Sequence, residues 1–300
     1  VLKIAVLIVT YNPDIIVLGK LIDRLKNTDL DIRIFLVDNA STNSDKLKTE
    51  YHDYKDFIYL SENIGLAGAQ NLGLHKIIES DCEAVLFFDQ DSEPTKDFIV
   101  NLVRALINLA NNGHKIGGVG PVFYDPRTET NYPFIEINGV RVKKIYPVDR
   151  IPLRVSFLIN SGMLVFVDTL QDVGVMRSEL FIDYVDLEWC FRAASKNYSF
   201  YAIPDAKMSH SIGDERKLVM GREVSIHSPL RRYYLARNFI YMLWLPYVPL
   251  GYKIREIFFT ILRTLLFIST VKEKKIYMQY IAKGWKDGLF KKYGKYDGKN

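Results

Sequence analysis

Two aspartates one residue apart, Asp89 and Asp91, follow the apolar run Ala84–Phe88. That spacing suits a hard divalent cation that shares its coordination shell with substrate phosphates. Such a cation neutralises a diphosphate leaving group. A solvated turn, or a helix cap ahead of Pro94, is the plain alternative. Asp38 follows the run Ile32–Val37. There it can accept from a ribose hydroxyl or a base N–H, or else cap a helix near Ser41. Three acids, Asp183, Asp186 and Glu188, stand among aromatics between Phe181 and Arg192. Apolar surroundings raise a carboxylate pKa and hold the group ready as a general base. Helix N-terminal acids paired with Arg192 are the competing reading. Asn63 to Asn71 is rich in Gly and Ala and opens a helix. Small residues there admit a ligand to the backbone, and a helix N-terminus favours phosphate or sugar oxygens. Simple helix–sheet packing explains them equally. His210 follows a short strand, where a lone histidine is more often structural than a ligand.

The elements that must position these groups alternate between two periods. Lys3–Thr10, Ile32–Val37 and Ala84–Phe88 are near-continuous apolar runs, the pattern of strands buried on both faces. Phe57–Leu60 is a shorter strand. Helical patterns separate them: one opens at Pro13-Asp14 with Ile15, Leu18, Leu21, Ile22 and Leu25 on one face, and another spans Leu66–Glu79. Strand–helix alternation at this spacing predicts a parallel sheet with right-handed crossovers. In such sheets ligands sit at the carboxyl ends of the strands. Thr10-Tyr11-Asn12, Asp38-Asn39 and Asp89-Gln90-Asp91 all fall there. Further on, Ile135–Val148 reads as a hairpin about Asn138-Gly139. Strands are predicted over Val155–Asn160 and Met163–Val167 around Ser161-Gly162, and over Ser199–Ile203 and Lys207–Ser211 around Pro204-Asp205. Leu187–Ser195 reads as a helix.

The texture changes at residue 229. Residues 230–300 hold 15 Lys and Arg against 4 Asp and Glu, whereas the preceding residues hold 25 against 31. An acidic body thus carries a basic tail, which suits an anionic surface. Phe239–Tyr252 and Ile257–Val271 are apolar but shorter than the ~20 residues of a spanning helix. They predict helices lying on a bilayer with basic residues at the headgroups, or else packing on the body or forming a dimer contact. The division is therefore a catalytic domain over 1–228 and a basic, apolar helical region over 229–300. Cys82 and Cys190 alone make a reducing compartment the expectation and are too few for a metal cluster. The chain opens directly into a strand, so secretion is not expected.

Taken in order, the motifs resemble those of family 2 inverting glycosyltransferases with the GT-A fold. They are VTYN at 9–12, VDNAS at 37–41, ENIGLAGAQNLGL at 62–74, FFDQDS at 87–92, NSGM at 160–163, FIDYVDLEWCFR at 181–192 and the His of MSHS at 208–211. The DQDS form and RRYYLARN at 231–238 look most like bacterial rhamnosyltransferases that build O-antigen or capsule polysaccharide. The resemblance implies a Rossmann-like mixed, mainly parallel sheet flanked by helices, with the C-terminal helices associating with a membrane. It implies nucleotide contacts from Tyr11 and Asp38, a ribose or sugar contact from Asp89, and Mg²⁺ or Mn²⁺ held by Asp91 with His210. Thr10, Asn12, Asn63, Gly65, Asn71, Gln90, Ser161, Gly162, Glu188 and Trp189 fall at substrate-binding positions. Asp186, aligned through Arg192, is the expected general base. Val185 departs from the acid that many members carry there, so Asp183 is its rival.

The expected reaction moves L-rhamnose from dTDP-L-rhamnose to a lipid-linked saccharide on the cytoplasmic face of the membrane. A UDP-sugar (hexose, N-acetylhexosamine or galactofuranose) is the alternative donor. A homodimer through the C-terminal helices is compatible with the pattern. A sugar nucleotidyltransferase needs a Gly-rich basic loop after the first strand, where VTYNPD stands. A dinucleotide-binding G-x-G-x-x-G and a Walker A loop are likewise missing from the sequence. A non-enzymatic membrane adaptor leaves the acids at three strand ends unexplained, and the acidic body would repel nucleic acid.

Overall fold

The computed structural model describes residues 2–125, 130–209, 216–219, 222–225, 228–271 and 273–298. Its strands are β1 (Ile4–Thr10), β2 (Ile32–Asp38), β3 (Phe57–Tyr59), β4 (Ala84–Asp89), β5 (Glu93–Pro94), β6 (Ile116–Asp125), β7 (Thr130–Asn131), β8 (Phe134–Asn138), β9 (Arg141–Ile145), β10 (Leu153–Val155), β11 (Leu164–Phe166), β12 (Ser199–Ser209), β13 (Arg216–Val219) and β14 (Arg222–Ser225). Its α-helices are α1 (Ile15–Lys26), α2 (Ser44–Glu50), α3 (Gly65–Ile78), α4 (Phe98–Asn111), α5 (Val167–Val173), α6 (Val185–Ser195), α7 (Pro229–Trp244), α8 (Leu250–Thr270) and α9 (Lys274–Leu289).

The main sheet runs β10-β12-β6-β11-β4-β1-β2-β3, with β5 and β7 at its margins. Strands β1, β2, β3 and β4 are mutually parallel. The short β11 runs antiparallel to both β4 and β6, so β6 and its parallel neighbour β12 point the same way as β4. The expected mixed, mainly parallel sheet is what forms. β1 shows why its apolar run is continuous. Ile4, Val6 and Ile8 enter the core under α1 and α4, while Ala5 and Leu7 enter the core under α3, α5 and α6. A strand between two helical layers has no solvent face to mark with polar residues.

Local details differ from the sequence expectation. Residues 156–160 are loop instead of strand, because the chain must turn at Ser161-Gly162. Gly162 sits at φ +78° and a Cβ there would meet Phe98 and Pro121 at 2.9 Å. The two predicted strands about Pro204-Asp205 are one strand, β12, with a register shift between Ile203 and Lys207. The small residues of α3 serve packing: a Cβ on Gly73 would lie 2.3 Å from Leu7.

Residue 229 marks a change of composition, and the core runs across it. Tyr241 and Met242 of α7, with Val248 and Tyr252, are buried in the same apolar cluster as Val85 and Phe87 of β4. α7 and α9 lie close because Gly284 and Gly288 face the α7 backbone, where a Cβ would meet Tyr233 O at 2.4 Å and Arg237 O at 2.8 Å. α8 stands further out. Leu250, Ile254, Phe258, Ile261 and Leu265 recur at helical spacing, and each is more than half exposed. Among the described residues no helix is long and apolar enough to cross a membrane.

Candidate active site

The register of the central strands sets the floor of the site. Thr10 pairs with Asp38, and Val9 with Asp89, so the three polar strand ends finish level with one another. Gln90 then reaches across to the first strand end: its Oε1 accepts from Tyr11 N at 2.8 Å and its Nε2 donates to Tyr11 O at 3.3 Å. This two-point contact fixes the Tyr11 backbone and leaves its ring half exposed, free to stack on a base. Asn12 accepts from Thr42 N and Oγ1 at 2.8 and 2.9 Å, which ties the loop after β1 to the loop after β2.

Asp38 is fully enclosed. Its Oδ1 accepts from Thr10 Oγ1 at 3.0 Å and from Ser41 Oγ, and its Oδ2 from Ser41 N at 3.2 Å. The carboxylate thus braces the turn into Ser41 with no surface left open for a ribose, and it caps no helix, since α2 has its N-cap at Asn43. Asn63 and Asn39 clasp each other: Asn39 Nδ2 donates to Asn63 Oδ1 at 3.1 Å, while Ile64 N and Gly65 N donate to their side chains at 2.9 Å. Gly65, at φ +83°, is needed because a Cβ would lie 2.5 Å from Phe181 O. It faces the Phe181 turn and not a ligand. Asn71 exchanges two 2.9 Å hydrogen bonds with the Met176 backbone, also a structural tie.

Asp89 and Asp91 both reach solvent at the end of β4. Protein crowds Asp89 on its remaining sides. That desolvation, with the charges of Asp91 and Asp186, pushes its carboxyl up to about 6, and a hydrogen bond from Ser161 opposes the shift. Ser161 Oγ also lies 3.1 Å from Ser92 Oγ. Accessible carboxylates that repel one another are the donor set a divalent cation relieves. Among the described residues no three His, Cys, Asp or Glu side chains gather as a complete ligand set. Two carboxylates completed by substrate phosphates fit Mg²⁺ or Mn²⁺. His210 lies outside the described residues.

Asp186 is the second residue of α6. Its Oδ1 accepts from Leu187 N at 2.8 Å and its Oδ2 from Asn160 N at 3.3 Å. Burial pushes its carboxyl up, against the pull of those backbone donors. The rival Asp183 is held by the Arg231 guanidinium at 3.1 and 3.3 Å, so its charge is already matched. Glu188 and Trp189 are not brought to the cleft. Two residues on a helix turn roughly 200°, so Glu188 points away from Asp186. It is fully buried, forked by Arg192 at 2.9 and 3.0 Å and bonded by Tyr247 OH. Trp189 is buried with Nε1 on Gly174 O at 2.8 Å.

The structure gives roles to residues that the sequence reading quoted in motifs without assigning them to the site. Asn160 is buried, and its Oδ1 finds no donor among the described residues. The turn before α6 carries left-handed backbone at Phe181, Asp183 and Tyr184. Helix α7 holds it. Asn238 Nδ2 donates to the carbonyls of Leu180, Ile182 and Asp183 at 2.9, 2.7 and 3.1 Å. Arg237, fully buried, donates to those of Glu179 and Leu180 at 3.1 and 2.8 Å. Tyr234 stacks on Phe181 at 4.9 Å. The signal was present: Arg231, Tyr234 and Asn238 recur at i, i+3 and i+7, one face of a helix.

Residues 5–174 match the family model described as Glycosyl transferase family 2. The chain is 38% identical over 289 residues to the dTDP-rhamnosyl transferase RfbF of Shigella flexneri, covering 96% of this chain and 95% of that protein. Among solved structures it resembles the mannosyltransferase PcManGT of Pyrobaculum calidifontis in complex with GDP-Man and Mn²⁺. The TM-score is 0.59 at 15% identity, over 97% of this chain and 88% of that one. It also resembles GalNAc-T7 with UDP, GalNAc and Mn²⁺, with a TM-score of 0.56 at 14% identity. That match covers 94% of this chain but only 56% of the larger protein. At these identities the two structures speak for the fold.

Proposed function

The chain belongs to glycosyl transferase family 2, and from that premise we propose that it is an inverting rhamnosyltransferase that takes its sugar from dTDP-L-rhamnose. The observation that carries the donor is the likeness to a dTDP-rhamnosyl transferase along nearly the whole of both chains. In this reading Tyr11 stacks on the base and Gln90 keeps it in place. Asp91, with Asp89 beside it in place of the ribose or sugar contact expected of it, would hold Mg²⁺ or Mn²⁺ together with the donor's phosphates. When bound, the cation offsets charge on the departing nucleoside diphosphate. Asp186 accepts the proton of an acceptor hydroxyl while that oxygen bonds to the anomeric carbon. The bond from that carbon to the diphosphate breaks on the opposite face, which inverts the configuration. Asn160 Oδ1, buried and without a donor among the described residues, accepts from a sugar hydroxyl.

The acceptor is a lipid-linked saccharide, and the enzyme works at the cytoplasmic membrane surface. The exposed apolar stripe of α8 and the excess of Lys and Arg over residues 230–300 support this. A thermal-shift panel of dTDP, UDP and GDP, then of dTDP-rhamnose and UDP-sugars, with and without Mn²⁺, tests the donor. The expected result is a metal-dependent rise in Tm with dTDP and dTDP-rhamnose. A rise with UDP-sugars alone would replace the donor while keeping the enzyme class.

A further inference from the structure

Asp186 belongs to two surroundings. Its charge is felt by Asp89 at the strand end. It also lines a separate open recess of about 280 Å³, bounded by Phe157, Tyr184 and, from α8, Tyr252, Arg255, Glu256 and Arg263. None of the α8 residues lies within the family match, which ends at residue 174. Glu256 is the hub of the far wall. Arg255 Nη1 donates to its Oε1 at 2.7 Å and Arg263 Nη2 to its Oε2. Asp183, also in the wall, is matched by Arg231 from α7.

The chemistry of these walls narrows the occupant. Three carboxylates, Asp183, Asp186 and Glu256, stand against three guanidiniums, Arg231, Arg255 and Arg263, so the recess offers no net positive charge for an anion. It is not a cation site either, since Asp183 and Glu256 already hold arginines. Fixed carboxylate oxygens and guanidinium N–H groups in alternation, beside aromatic surfaces, suit a ring that carries both hydroxyls and apolar C–H faces. The recess, at about 280 Å³ and open on one side, has room for a single sugar ring. α8 thus presents two faces, an apolar stripe to the outside and a polar wall to the base.

We propose that this recess receives the terminal, uncharged sugar of the acceptor, and that Arg255, Glu256 and Arg263 select it. The inference rests on Asp186 as the base of glycosyl transfer. It adds where the nucleophilic hydroxyl comes from and what kind of sugar bears it.

Saturation-transfer NMR on the full chain loaded with dTDP and Mn²⁺ tests it. The probes are p-nitrophenyl α-L-rhamnoside, β-D-glucoside, β-D-galactoside, N-acetyl-β-D-glucosaminide and β-D-glucuronide. At least one neutral glycoside should bind, with the glucuronide silent. Glu256→Gln and Arg263→Ala should each weaken that binding tenfold or more. Glu256→Gln keeps the side-chain shape and the Arg263 side chain is 57% exposed, so both variants should fold, with a lower Tm from the lost ion pairs, and near-UV circular dichroism below each variant's own melting range is the control. Binding of no neutral glycoside, stronger binding of the glucuronide, or undiminished binding by both variants would overturn the assignment. Slow hydrolysis of dTDP-rhamnose by the unaltered chain, with water as acceptor, reports separately on the donor reading. Its absence with every sugar nucleotide would sink that reading and not the recess.

Discussion

A carboxylate that takes a proton from a sugar hydroxyl works only while it is ionised. Asp186 is pushed up by burial, and Asp89 to about 6 by crowding and like charge. As pH falls, both are protonated before an ordinary carboxylate would be. For Asp186 the acid limb of kcat/KM should therefore lie above the range of an ordinary carboxylate, and a limb within that range would contradict the assignment. Asp186→Asn puts an amide N–H against one of the two backbone donors and removes the base. Turnover should fall by about 10²–10⁴-fold. Near-wild-type turnover in Asp186→Asn, with loss in Asp183→Asn, would hand the role to Asp183. Asp89 carries a second, opposite signature. A pKa raised from ~3.9 in the unfolded chain favours the folded state below pH 4, and that benefit is lost as pH rises through about 6. Without divalent cations, Asp89→Asn should melt higher than wild type at pH 8, by about 2 °C, with the gap closing toward pH 4. Differential scanning calorimetry in EDTA reads this directly, and a lower Tm for the variant at pH 8 would refute it.

Among the elements, α7 and α8 have distinct duties. The left-handed turn over residues 181–184 aims the first turn of α6, and Asn238 meets three of its carbonyls with one amide. Asn238→Ala leaves those buried acceptors short of a donor, at a cost of about 1–3 kcal/mol. The expected outcome is a lower Tm together with a fall in kcat larger than in donor KM, because the turn carries the base and not the nucleotide. Equal kcat in a folded variant would show that the turn holds itself. For α8 the expectation is thermodynamic. Phe258 and Leu265 lie on the exposed stripe, and burying each such side chain is worth about 1.5–3 kcal/mol. Phe258→Asp with Leu265→Asp should abolish flotation with phosphatidylglycerol vesicles while leaving the protein folded. A concentration-dependent shift in sedimentation, with no vesicle binding, would identify the stripe as a dimer face.

On the scale of the whole molecule, the catalytic body and the C-terminal helices share one core. Tyr241, Met242, Val248 and Tyr252 are packed with sheet residues, and Arg237 is fully buried against the turn before α6. A chain ending at residue 228 should lose near-UV circular dichroism and aggregate. A soluble, cooperatively melting fragment would count against a shared core. The sequence pattern alone determined the parallel core of β1, β2, β3 and β4, because continuous apolar runs alternating with amphipathic stretches leave few other arrangements, whereas the mixed character of the sheet, made by the antiparallel β11, was expected only from the family resemblance. The same pattern also located the strand-end acids, since the ends of buried strands are where polar residues can reach a ligand. Only the tertiary structure decided which polar residues are spent on the scaffold. Asp38, Gly65, Asn71 and Trp189 have the same residue types as a ligand-binding set, yet each has a partner well away in the chain, and Glu188 adds Tyr247 to the local Arg192 pairing that the sequence already offered. Asp183 and Asp186 are equivalent by type and spacing. Arg231, 48 residues after Asp183, pairs with one, while the other accepts, among the described residues, from backbone N–H groups. Pairing across that separation depends on how α7 docks, and no local pattern encodes it.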